Sequence, residues 1–82
     1  MTTRQITLYT QPGCAESDQA RAWLRERGVP FMERDVASDP EAAAALYATD
    51  VFATPLLVAG DRRVLGFRPQ ELSALLTEQG DS

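Results

Sequence analysis

The 82-residue chain is 44% hydrophobic and carries a net charge of −4, with one cysteine and no histidine. That length holds one domain, residues 1–82, with a thin core, and the ordinary hydrophobic fraction argues against disorder. The charge disfavours a basic nucleic-acid interface, and the residue counts exclude an internal disulfide, a zinc site built by one chain alone and a Cys–His nucleophile pair.

In chain order, Ile6-Thr7-Leu8-Tyr9 is short, β-rich and alternating, and it ends at a Gln11-Pro12-Gly13 turn. From Cys14 or Ala15 to Arg27 the spacing is helical. Ala20, Trp23 and Leu24 share an apolar face, and Gly28 is placed to stop the helix. Arg21, Arg25 and Arg27 are interleaved with Glu26 on this helix, so they form no basic patch. Val29 to Val36 reads as a loop followed by a second strand. Ser38-Asp39-Pro40-Glu41 then opens a helix in one of two registers: Ser38 with Glu41 as a capping box, or Asp39 as cap with Pro40 first in the helix.

The Ala42 to Tyr47 run continues that helix, and Thr49 to Thr54 is a loop. Leu56-Leu57-Val58-Ala59 reads as a strand, and Gly60-Asp61 turns tightly into Arg63-Val64-Leu65. Gly66-Phe67-Arg68-Pro69 interrupts the sheet and starts a last helix, in which Leu72, Leu75 and Leu76 make one apolar face. Gly80-Asp81-Ser82 is expected to fray. The order is β-α-β-α-β-β-α. It implies an α/β fold of three layers, with a right-handed crossover pairing the first two strands in parallel and an antiparallel hairpin completing a four-stranded mixed sheet. The polar Met1-Thr2-Thr3-Arg4-Gln5 start and the lack of any apolar run near the roughly 18 residues of a membrane span place the chain, as an expectation, in a reducing cytoplasm without membrane association.

Cys14 is the residue most able to carry chemistry. A thiol at a helix start faces unpaired backbone N–H groups and the positive end of the helix dipole, and both favour the thiolate. Lowering the thiol pKa does little for attack, because thiolate gained and nucleophilicity lost nearly cancel. It does more for departure, since a weakly basic sulfur is readily expelled from a mixed disulfide.

The segments Tyr9-Thr10-Gln11-Pro12-Gly13-Cys14, Asp35-Val36 with Ser38-Asp39-Pro40-Glu41, Ala53-Thr54-Pro55, and Gly66-Phe67-Arg68-Pro69-Gln70-Glu71-Leu72 together resemble the glutaredoxin family of the thioredoxin fold. The Gly-Phe-Arg-Pro segment is similar to that of NrdH-type redoxins, the small glutaredoxin-like electron donors to ribonucleotide reductase. The resemblance covers nearly the whole chain, with two departures. Ser17 stands where dithiol members have their second cysteine. Gln11 and Glu16 stand where glutathione-using members commonly have a lysine and an aromatic residue.

What the resemblance implies is a monothiol thiol–disulfide oxidoreductase with Cys14 as nucleophile, supported by Pro12, Gly13, Glu16 and Ser17. Gln11, Thr54, Pro55, Gly66, Phe67 and Arg68 would bind the thiol or substrate, with Thr54-Pro55 as a cis-proline element. Its co-substrate would be glutathione or another small thiol, its targets protein mixed disulfides, and its state a monomer. Several roles stay open at this stage. Glu16 either opposes ionisation of Cys14, and disfavours an anionic peptide thiol, or points into solvent. Ser17 either donates to the thiolate or is an ordinary first-turn residue. Phe67 is either groove or core, and Arg68 either a ligand contact or a solvated charge, while the N–H groups near Pro69 are free to hold a ligand carboxylate. Trp23 is expected in the core. Two further readings remain: an iron–sulfur carrier in which two chains each give Cys14 and two external thiols complete the cluster, and a non-catalytic redox-sensing or adaptor domain binding a partner beside Pro55.

Overall fold

The structure is a computed structural model and describes residues 5–80. Strand β1 (Ile6–Thr10) leads through α1 (Ala15–Glu26) to β2 (Met32–Asp35). Next come α2 (Pro40–Tyr47), β3 (Leu56–Ala59), β4 (Arg62–Leu65) and α3 (Pro69–Gly80). The sheet order is β2-β1-β3-β4, with β1 parallel to β2, antiparallel to β3, and β3 antiparallel to β4. This is the four-stranded mixed sheet that the element order implies and the thioredoxin-like fold that the family resemblance implies. Of the terminal segment expected to fray, Gly80 closes α3, while Asp81 and Ser82 lie outside the described residues.

Helices cover both faces of the sheet, and the apolar residues sort accordingly. Ile6, Leu8, Leu57, Ala59 and Val64 pack against Ala20, Trp23 and Leu24 of α1 and Leu72 and Leu75 of α3. On the other face Tyr9 and Leu56 pack against Ala42 and Leu46 of α2. The expected alternation in β1 therefore fails at its end: Leu8, Tyr9 and Thr10 are all buried, because a central strand covered on both sides has no solvent face. Trp23 is in the core as expected, with the Arg27 guanidinium 3.9 Å from its ring centroid.

Local chemistry fixes the ends of the elements. Gly28 takes φ +67, and the Gly28 and Val29 N–H groups donate to Arg25 O and Leu24 O, a Schellman stop that turns the chain toward β2. Of the two registers open for α2, the Asp39 cap is the one adopted. Asp39 Oδ1 accepts from the N–H groups of Glu41 (3.0 Å) and Ala42 (3.3 Å), and Pro40 sits at the first helical position.

The edge strand β2 is polar, and α1 holds it through charge. Arg21 donates Nε to Glu33 Oε1 at 2.8 Å and a second guanidinium nitrogen to Oε2 at 2.6 Å, while Thr10 Oγ1 donates to Oε2 at 2.8 Å. The Arg21 guanidinium holds the Glu33 carboxyl below its ordinary range, against an opposing effect of burial. A carboxyl depressed in the folded state stabilises above its unfolded pKa, and that stability is lost as the pH falls through the folded value.

Leu24 is fully buried between α1 and the sheet. Leu24→Ala is expected to cost about 3 kcal/mol, a large share of the stability of so small a domain, read as a lower urea midpoint at unchanged slope.

Candidate functional site

Four segments converge at one end of the sheet, and Cys14 lies among them. The Gln11–Cys14 turn leaves β1 with Pro12 at its second position and Gly13 at its third, where φ is +78, and the Cys14 N–H donates to Gln11 O at 3.2 Å. This is the type II pattern, in which only the third position must turn left-handed. The turn delivers Cys14 as the N-cap of α1 in an extended conformation, with no side-chain capping bond. The sulfur is thus beside the free amides of the first helical turn and partly exposed.

Thr54 and Pro55 face it from the start of β3, with a cis peptide bond between them. Cys14 Sγ donates to Thr54 O at 3.6 Å, and Thr54 Oγ1 donates to Gln11 Oε1 at 3.4 Å, so the two loops are joined around the sulfur. Pro55 is buried, and its carbonyl accepts from the Gly66 N–H at 2.8 Å, which brings the turn after β4 alongside.

The Cys14 thiol is held below its ordinary pKa, chiefly by the Ser17 hydroxyl. Burial opposes this, and the Ser17 N–H, the Thr54 hydroxyl and the Glu16 N–H add to the lowering. Ser17 is fully buried, and its Oγ has no hydrogen-bond partner of fixed geometry. The two observations fit together. A neutral thiol donates to Thr54 O and leaves the hydroxyl unclaimed, whereas a thiolate is an acceptor toward which that hydroxyl turns. Of the two roles open for Ser17, donation to the sulfur is the one its surroundings favour. Ser17→Ala should move the pH midpoint of Cys14 alkylation by iodoacetamide upward. At neutral pH the rate should fall by a factor of roughly 3–10, the worth of a hydrogen bond to a charged group at a partly exposed site.

Glu16 is exposed, as one of its two expected roles had it, but its carboxylate is not left to solvent alone. Glu16 Oε1 accepts from the Phe67 N–H at 3.0 Å, across 51 residues of sequence. The carboxylate is absent from the influences on the Cys14 thiol, to which Glu16 contributes only its backbone N–H. The amide of Phe67, one of the N–H groups near Pro69 expected to hold a ligand carboxylate, thus already has a carboxylate partner within the chain. Phe67 is partly buried and packs against the α1 and α3 cluster. Arg68 is exposed, paired with Glu71 at 3.2 Å and donating to Leu65 O at 3.2 Å, and no bond links it to the sulfur's surroundings.

Gln11, Thr54, Pro55 and Gly66 are thus brought together around Cys14, and Arg68 is not. Two features were not foreseen: the Gln11–Thr54 bridge and the Glu16–Phe67 bond. Both join residues more than forty positions apart, and nothing local marks them. Among the described residues, no group of three or more His, Cys, Asp and Glu is placed to hold a metal ion, and no helix is long and apolar enough to cross a membrane.

Comparison with known proteins gives a consistent set of relatives. The Glutaredoxin family model matches residues 6–64. The glutaredoxin-like protein NrdH of Escherichia coli is 35% identical over 71 residues, covering 87% of this chain and 88% of that protein. The solved structure of E. coli NrdH-redoxin, described as having a thioredoxin-like activity profile, superposes with a TM-score of 0.79 over 87% of this chain and 93% of that one. The thioredoxin-like protein BC3987 superposes with a TM-score of 0.80 at 33% identity, over 87% of this chain and 99% of that chain. The global transcriptional regulator Spx of Bacillus subtilis is 51% identical over 35 residues, which are 43% of this chain but only 27% of that regulator.

Proposed function

The chain belongs to the glutaredoxin family, and within that family's thiol–disulfide oxidoreductase chemistry we propose that it works as a single-cysteine enzyme on mixed disulfides between proteins and small thiols. The observation that carries this is the placement of Cys14: its sulfur is partly exposed, ringed by donors, and has a buried serine hydroxyl where a resolving thiol would stand. Cys14 thiolate attacks the small-thiol sulfur of protein–S–S–R. The protein sulfur leaves as a thiolate and takes a proton, and a Cys14–S–S–R bond remains. A second R–S⁻ attacks R's sulfur, forming R–S–S–R and returning the Cys14 thiolate. The net change is protein–S–S–R plus one R–SH giving protein–SH plus R–S–S–R. Each turnover consumes one external thiol, and the R already bound to the protein becomes the other half of the product disulfide.

The donors around Cys14 matter most in the second step, where Cys14 is the leaving group and a lowered pKa speeds departure. The substrate's backbone would lie along Thr54-Pro55 in extended form, flanked by Gln11 and by the Pro12-Gly13 turn, with Gly66 lining the far side. We assign it to a reducing compartment as a monomer, since a lone thiol must be kept reduced between turnovers. The thioredoxin-like activity profile described for NrdH-redoxin supports a second electron source, a protein dithiol in place of the small thiols.

The test is turnover of a protein carrying a mixed disulfide, with mass spectrometry of the enzyme during the reaction. One adduct of R on Cys14, and a rate first order in added thiol, support the mechanism. No adduct, and no rate above that of free cysteine with any small thiol or protein dithiol, would end it. The partial likeness to Spx favours one other reading, a regulatory adaptor that binds its partner without exchange. In that case partner binding would survive Cys14→Ala.

A further inference from the structure

The contacts around Cys14 close into a ring. Cys14 Sγ reaches Thr54 O at 3.6 Å, and the adjoining Pro55 accepts from Gly66 N at 2.8 Å. Phe67 N donates to Glu16 Oε1 at 3.0 Å, and Glu16 is two residues from Cys14. A small peptide thiol joined to Cys14 and extended along Thr54-Pro55 would run its far end toward the Gly66-Phe67 turn. That turn immediately precedes α3, so its amides share the positive end of the helix, the place where a carboxylate of such a thiol would settle.

A carboxylate is already there, and it belongs to the chain itself. Gly66 is fitted to it. Its φ is +83, and a Cβ built on it would come within 3.2 Å of the same Glu16 oxygen. The only nearby cation on this turn, Arg68, is turned to Glu71 and Leu65 O. We infer that Glu16 is the specificity-determining residue of this groove: its carboxylate occupies the Phe67 amide in place of a ligand's, so the chain favours thiols without a carboxylate at that end and discriminates against acidic peptide thiols. The inference rests on the exchange reading only for its biological sense, because the occupancy itself is a matter of binding.

Occupancy differs from simple repulsion in what the variants should do. Glu16→Gln removes the charge but keeps an oxygen able to accept from Phe67 N–H. Glu16→Ala removes both. The probe is S-methylglutathione, which has carboxylates and no free thiol, titrated into the full chain while the Phe67 amide resonance is followed by NMR.

The expected result is about tenfold tighter binding by Glu16→Ala than by the unmodified chain, with Glu16→Gln clearly between them. Equal binding by all three, or equal gains in Gln and Ala, overturns the inference. Should the Ala variant lose its dispersed spectrum, the dimethyl ester of the probe decides the matter on the unmodified chain. The ester should bind better than the acid, and the inference fails if it does not. The ratio of kcat/KM for a glutathione mixed disulfide to that for a 2-mercaptoethanol mixed disulfide should rise in the same variant order. If no disulfide turns over but the binding order holds, the oxidoreductase reading falls and the role of Glu16 stands.

Discussion

Cys14→Ser is expected to bring mixed-disulfide exchange down to the uncatalysed background, a loss on the order of 10³-fold or more in kcat/KM. The serine hydroxyl stays protonated at any pH where the protein is folded, and it forms no disulfide, so both steps are lost together. The variant also carries its own control. Cys14 is the N-cap of α1 and makes no capping bond through its side chain. Serine is among the best N-cap residues, and its oxygen would accept from a first-turn amide that the sulfur leaves poorly satisfied. The variant should therefore be as stable as the parent or up to about 1 kcal/mol more so, by thermal or urea unfolding. Loss of activity with retained stability separates chemistry from folding. Retained exchange would mean that Cys14 is not the nucleophile.

The same residue shows how far the sequence could be read. Its place at a helix start follows from local signals: a β-rich run, a Pro-Gly turn, then apolar residues at helical spacing. The structure realises all three within a residue or two. Gly28 and Asp39 are legible for the same reason, since a helix stop and a helix cap depend on the few residues around them. Ser17 was half legible. It falls on the stripe of Ala20 and Leu24 by three- and seven-residue steps, which marks it for burial, but burial alone does not say that its hydroxyl faces a sulfur. Burial in β1 was misread because alternation assumes one wet face, and only the position of α2 against Tyr9 and Leu56 shows that there is none. Glu16 was half legible for a deeper reason: its exposure was expected and its partner was not. Its partner is a backbone amide 51 residues away, and a backbone amide has no sequence signature. Charge at the site could be counted from the residues, but where that charge was spent depended on the turn between β4 and α3.

Ser17→Cys should change the order of the reaction and not merely its rate. In the parent chain R leaves Cys14–S–S–R only when a second external thiol attacks, so release is first order in that thiol. Ser17 lies one helical turn past Cys14, and both its N–H and its hydroxyl act on the Cys14 sulfur, so a sulfur in place of the hydroxyl is set against the mixed disulfide. The introduced thiolate attacks the Cys14 sulfur, and R leaves as a thiol after taking a proton. An internal disulfide then closes between positions 14 and 17. Even a modest effective concentration of about 1 M exceeds a millimolar external thiol by roughly 10³. The expected single-turnover rate of R release is therefore independent of external thiol, and the product chain is lighter than its reduced form by two hydrogens. The site is fully buried and the sulfur is larger than the oxygen it replaces, so a stability cost of about 1 kcal/mol is expected and is small beside the kinetic change. Release that stays linear in external thiol, with the parent's slope, would show that position 17 does not face the reacting sulfur. It would also remove the hydroxyl from the account of how Cys14 is held as an anion.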